Sequence, residues 1–161
     1  MRCRWILPVL LLILVAASPS RAQVDSVSTR GVHAAANQAA QAAAQEWLRH
    51  LDAGRWSAAW EAAAPGLRDT VAQEGWKQRG VRTRNALGPV RSRKLVRTRY
   101  HDTLPQTTTP GPYVLLQYHA TFGMDLYVET VLAAQTDEAW QVAGYEVAPA
   151  ASRRERDTGA N

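Results

Sequence analysis

The chain has 161 residues, with 19 Lys and Arg against 14 Asp and Glu for a formal net charge of +5, and one cysteine, Cys3. That length supports a single domain burying its own core. One cysteine excludes an internal disulfide and a multi-thiolate metal site.

The first 22 residues have the form of a secretory signal. Arg2 and Arg4 precede an apolar run from Trp5 to Ala17, and Ser20-Arg21-Ala22 sets small residues where a signal peptidase reads. The run is too short for a bilayer span, which needs roughly 20 residues. Cys3 stands ahead of the apolar core, whereas a lipidated cysteine would follow it. Cleavage after Ala22 is expected, leaving a periplasmic or secreted chain without a transmembrane segment or a cysteine. Losing Arg2, Arg4 and Arg21 from the 19 basic residues, against 14 acidic ones, lowers the net charge from +5 to +2. Overall basicity therefore does not point to nucleic acid, and no such partner is expected.

Residues 23–33 are polar and aperiodic, and they read as a flexible leader to a single domain over 34–148. A helix follows in "AAANQAAQAAAQEWLRHLDAG", where Ala40, Ala44, Trp47, Leu48 and Leu51 form one apolar stripe and Gly54 is the terminator. "WSAAWEAAAPG" predicts a short second helix, capped by Ser57 and stopped by Pro65-Gly66. A third is expected from Asp69 or Thr70 to about Asn85. Thr70 and Gln73 have capping-box spacing there, while Gly75 and Gly80 each weaken the helix by about 1 kcal/mol.

After Gly88-Pro89 the period changes from helical to alternating. Four strands are predicted at Arg91–Thr103, Tyr113–Phe122, Leu126–Ala134 and Trp140–Val147. Gly123-Met124-Asp125 suits a three-residue hairpin. Residues 149–161 lack large apolar side chains and read as a disordered tail. Helices first and strands afterwards predict an α+β fold, with N-terminal helices packed on one face of a four-stranded antiparallel meander sheet.

Parity assigns the sheet faces. Val114, Leu116, Tyr118, Ala120 and Phe122 are expected to face the helices. With a three-residue hairpin they lie opposite Ala134, Leu132, Thr130, Val128 and Leu126, and Trp140, Val142 and Gly144 continue the face. On the first strand Val96, Thr98 and Tyr100 match the core side, leaving Arg91, Arg93, Arg97 and Arg99 outward and Leu95 as an exception. The outer face then also carries Gln117, His119, Tyr127, Glu129 and Tyr145, with His119 across from Glu129.

Charge is unevenly distributed along the chain. Lys77, Arg79, Arg82, Arg84, Arg91, Arg93, Lys94, Arg97 and Arg99 follow one another without an acidic residue between them. Several readings of the arginine row are open. Edge strands carry such charges to block edge-to-edge pairing, Arg93 or Arg97 could pair with Glu129, and clustered charge could steer the protein to an anionic envelope component or a protein partner. The candidate binding residues are Arg93, Arg97, Arg99, Gln117, His119, Tyr127, Glu129 and Tyr145.

Reaction chemistry leaves little trace. No GxSxG, HExxH, P-loop or dinucleotide-binding glycine pattern is present. His33, His50, His101 and His119 are scattered, without the spacing of a local metal pair. No catalytic residue, metal or cofactor is expected. The tryptophans after the leader, Trp47, Trp56, Trp60, Trp76 and Trp140, fall mostly on core stripes.

"EWLRHLDAGRWSAAWEAAAP", "GWKQRGVRTRNALGPVRSRKL", "GPYVLLQYHATF", "VETV" and "WQVAGYEV", in this order, resemble the bacterial family known as domain of unknown function 4019, over about residues 35–147. Trp47, Asp52, Gly54, Trp60, Trp76, Gly88, Arg93, Tyr113, Glu129, Trp140, Gly144 and Tyr145 match its pattern. The "GMD" hairpin and the missing glycine in "DEAW" depart from it. The resemblance implies a small exported protein and supplies no activity. In layout the chain is also similar to cystatin-like and nuclear-transport-factor-like α+β cones. An exported, non-enzymatic binding or accessory module of the cell envelope is the leading expectation. The alternatives are a cone-fold isomerase or hydrolase acting on a small apolar molecule through His119, Asp52 or Glu129, and a structural homodimer subunit.

Overall fold

The computed structural model describes residues 21–105, 111–137 and 139–150. The signal-like segment up to residue 20, with all of its apolar stretch, and the tail from residue 151 onward lie outside this set. Four helices, α1 (Arg21–Asp52), α2 (Trp56–Glu61), α3 (Pro65–Thr70) and α4 (Gln73–Leu87), precede four strands, β1 (Val90–His101), β2 (Tyr113–Phe122), β3 (Asp125–Thr136) and β4 (Ala139–Pro149). The strands form one antiparallel sheet in the order β1-β2-β3-β4. The predicted α+β meander with helices against the sheet is the observed architecture.

The predicted stripe on α1 is the core of the molecule. Ala40, Ala44, Trp47, Leu48 and Leu51 are all buried, packed with Val114, Leu116, Tyr118, Val131 and Val142 from the sheet. Trp47 Nε1 donates to the Ala59 carbonyl at 2.7 Å, tying α1 to α2. α1 ends as expected. Gly54 has φ 68°, its N–H bonds to Leu51 O at 3.0 Å, and Arg55 N–H bonds to His50 O at 2.9 Å, the two bonds of a Schellman cap. The helix also takes in residues 23–33, read from the sequence as flexible leader.

The shorter helices are divided differently from the prediction. Pro65 opens α3 instead of closing α2, because a ring with no N–H and a fixed φ suits the first helical turn. Ser57 lies inside α2, and neither α2 nor α4 has a side-chain cap. Thr70 donates to Leu67 O at 2.8 Å, closing α3 instead of forming a capping box for α4.

Three register breaks decide which side chains face the helices. The β2–β3 hairpin has a two-residue loop, with Phe122 opposite Asp125 and Gly123 at φ 57° in the first turn position, where a type II′ turn favours glycine. β1 is irregular between Leu95 and Arg97, besides a further break near its start between Val90 and Ser92, and β4 is irregular opposite Leu132 and Ala133. Each such irregularity inserts a residue and reverses parity beyond it. Leu95 therefore packs against the core while Val96 is 45% exposed, the reverse of the alternation rule. Beyond the β1 bulge, Thr98 and Tyr100 keep their expected inward side. Gly144 pairs with Leu132 on the outer face, and Tyr145 pairs with Val131 on the inner one.

Candidate functional site

The same three breaks assemble a charged centre inside the molecule. A loop one residue shorter than expected moves β3 by one place, which exchanges its two faces. Glu129 thus stands opposite Tyr118, and His119 opposite Val128. The expected His119–Glu129 pair does not form. Glu129 is fully buried, the only charged residue in the core among the described residues. Ahead of its bulge, β1 turns Arg93 inward. The β4 bulge does the same for Tyr145.

Two helices complete the cluster. Asp52 is the last residue of α1, and Arg84 lies in the final turn of α4. A carboxylate at a helix C-terminus faces the negative end of the macrodipole and needs compensation from elsewhere. Arg93 supplies it with two parallel bonds, Nη1 to Asp52 Oδ2 at 2.7 Å and Nη2 to Oδ1 at 3.0 Å. Arg84 Nη2 donates to Oδ1 at 3.0 Å and lies 3.7 Å from Glu129 Oε1. On its other side Arg93 bonds Glu129 through Nε at 2.5 Å and Nη2 at 3.2 Å. Tyr145 donates its hydroxyl to Glu129 Oε1 at 2.6 Å.

Two guanidinium groups and two carboxylates balance, and every carboxylate oxygen receives at least one donor. Burial alone would lower the pKa of Arg93, but the hydrogen bonds and charges of Asp52 and Glu129 outweigh it and raise it. Burial, then the charge of Glu129 and the bond to it, push the Tyr145 hydroxyl well above its usual value, against an opposing effect from Arg84 and Arg93. Arginine stays protonated, and Tyr145 resists losing its proton. The cluster is a locked ion network joining α1, α4 and three strands.

Of the eight candidate residues, Arg93, Glu129 and Tyr145 meet in this network. Tyr127 also faces inward, edge-on to Phe122 at 5.6 Å. Arg97, Arg99, Gln117 and His119 remain on the outer face, with Gln117 Nε2 donating to Thr130 Oγ1 at 3.4 Å. The inward positions of Arg93, Glu129, Tyr127 and Tyr145 correct the expected outer surface, whose basis was uninterrupted alternation. Arg84 was outside every candidate set, and Asp52 was named only for the enzyme alternative, not among the binding residues. The misplaced charge at the end of an amphipathic helix was the available signal for Asp52. Among the described residues, no three His, Cys, Asp or Glu side chains cluster to share a metal ion.

Beside the network lies a cavity of about 420 Å³ between α4, the α1–α3 region and β4. Trp56, Trp76, Leu51 and Val147 contribute apolar walls, and Arg79, Arg84 and Tyr145 also line it. Among the described residues, no carboxylate or histidine does. Trp76 packs against Trp47 at 5.7 Å between ring centres, and Trp47 against Tyr145 at 5.3 Å, so these rings join the cavity wall to the core.

Fold and site together define an α+β domain whose helix layer is fastened to its sheet by an internal arginine–carboxylate network. The chain matches the family described as "Protein of unknown function (DUF4019)" over residues 43–145, and it belongs to that family. The matched span includes all five members of the network. No curated protein and no solved structure matches the chain.

Proposed function

We propose that the chain is an exported, non-enzymatic binding module of the bacterial cell envelope, holding a small ligand between its helices and its sheet. One observation carries this reading: a cavity of about 420 Å³ with tryptophan walls lies beside a charged cluster whose own bonds are complete. Ligand pockets commonly occupy about 300–1,000 Å³ and are mostly apolar, with a few placed polar groups. The signal-like first 22 residues support the envelope setting. A likeness of layout to cystatin-like and nuclear-transport-factor-like folds supports the reading by analogy alone.

The enzyme alternative lacks an acid or base in this cavity. Glu129 and Asp52 are held by arginines, and His119 is exposed on the opposite sheet face. A second contact, with an anionic envelope component, is supported by Arg97 and Arg99, which are exposed on edge strand β1. Native mass spectrometry of protein released gently from its own envelope tests the main reading. A chain lacking residues 1–22 and carrying a small molecule is expected. Protein of bare chain mass in every preparation would refute the reading.

A further inference from the structure

The charged groups lining the cavity are Arg79 and Arg84, cations that donate hydrogen bonds and cannot accept them. Its walls therefore offer an occupant charged donors beside tryptophan faces.

The charge balance points the same way. Arg84 is neutralised within the network by Asp52 and Glu129. Arg79 has no such counter-charge among the residues lining the cavity, so the chamber is left with a positive charge at its exposed side. Flat aromatic walls and an uncompensated guanidinium are complementary to a flat apolar body ending in an anion.

We propose that the chamber binds a small organic anion, an aromatic or otherwise flat apolar carboxylate, with Arg79 as its acceptor-recognising group. This rests on the binding-module reading and specifies its ligand class. Gly80 shapes the same wall. A Cβ there would come within 2.5 Å of the Trp56 ring, so glycine allows α4 to lie directly against that indole.

The test uses the purified full chain and three probes on one skeleton: naphthoate, naphthylmethanol and naphthylmethylamine. Calorimetry gives affinity, and tryptophan fluorescence reports occupancy because Trp56 and Trp76 form the walls. Naphthoate is expected to bind and quench, with the alcohol about tenfold weaker and the amine weaker still, the scale of one charge-assisted hydrogen bond. Arg79→Gln, at an exposed position, should leave the melting temperature unchanged and abolish the preference for acid over alcohol. If the alcohol binds as tightly as the acid, the ligand class is wrong while the chamber reading stands. If none of the three binds and envelope-derived protein carries nothing but water, both fall.

Discussion

Glu129 shows how much depends on single side chains here. A buried carboxylate loses several kcal/mol of hydration, which only close, well-bonded partners can offset. Arg93 reaches both Glu129 and Asp52 and is therefore the pivot. Arg93→Leu is expected to destabilise the fold by about 3–5 kcal/mol, because it strands Glu129 without its main counter-ion. Arg93→Leu combined with Glu129→Leu should cost less than Arg93→Leu alone, as urea unfolding would show. A purely additive pair would mean that the two groups are not coupled. The tyrosines make a separate prediction about alkaline pH. Burial raises Tyr118 to about 12, with Arg93 opposing and Glu129 reinforcing the shift, and Tyr145 is raised further. Unfolded tyrosines ionise near pH ~10. The folded form therefore keeps its full contribution below pH ~10 and loses stability as pH rises toward the folded values. The expected slope is about 1.4 kcal/mol per pH unit for each tyrosine. Tyr145→Phe should remove one proton's worth of that slope, measured by denaturant unfolding across the alkaline range. An unchanged slope would show that Tyr145 ionises normally in the native state.

Among the elements, α1 and β1 show where sequence reasoning succeeds and where it stops. Helical periodicity located the α1 stripe residue by residue, and all five of its members are buried. Alternation located the four strands and the core face of β2. It failed at Arg93, Glu129 and Tyr145 for a common physical reason. A period of two carries no memory across an inserted residue, so a bulge or a shortened turn moves every later side chain to the other face. Leu95 was the visible clue, a large apolar residue on a nominally polar face. Its bulge yields a prediction opposite to the alternation rule. Val96→Lys should change stability by no more than about 0.5 kcal/mol, whereas Leu95→Ser should cost clearly more, since Leu95 packs on the core and Val96 does not. Equal costs would argue against the bulge. Gly80 read as a weak point from helix propensity alone. Gly80→Ala should gain up to about 1 kcal/mol of propensity yet lose about 1–3 kcal/mol to overpacking against Trp56. A net loss is expected in denaturant unfolding, reversed in a Trp56→Leu background. A stabilised single variant would show that Trp56 moves aside freely.

At the scale of the whole molecule, the basic run divides into two functions. Arg84 and Arg93 turn inward and fasten the helices to the sheet, while Lys77, Arg79, Arg82, Arg91, Lys94, Arg97 and Arg99 are exposed. The exposed set exceeds what shielding one strand edge requires, because it extends from β1 onto α4. A shielding role and an electrostatic role differ in their response to salt, since attraction between exposed charges fades over about 10 Å at 0.1 M. Replacing Lys94, Arg97 and Arg99 together by glutamine should leave the unfolding free energy nearly unchanged, because none of them belongs to the internal network. The wild-type chain should sediment with phosphatidylglycerol vesicles at low ionic strength and be released by salt, and the triple variant should stay in solution throughout. If both proteins remain unbound, or bind alike at every salt concentration, the row protects the β1 edge and the anionic surface is not its target.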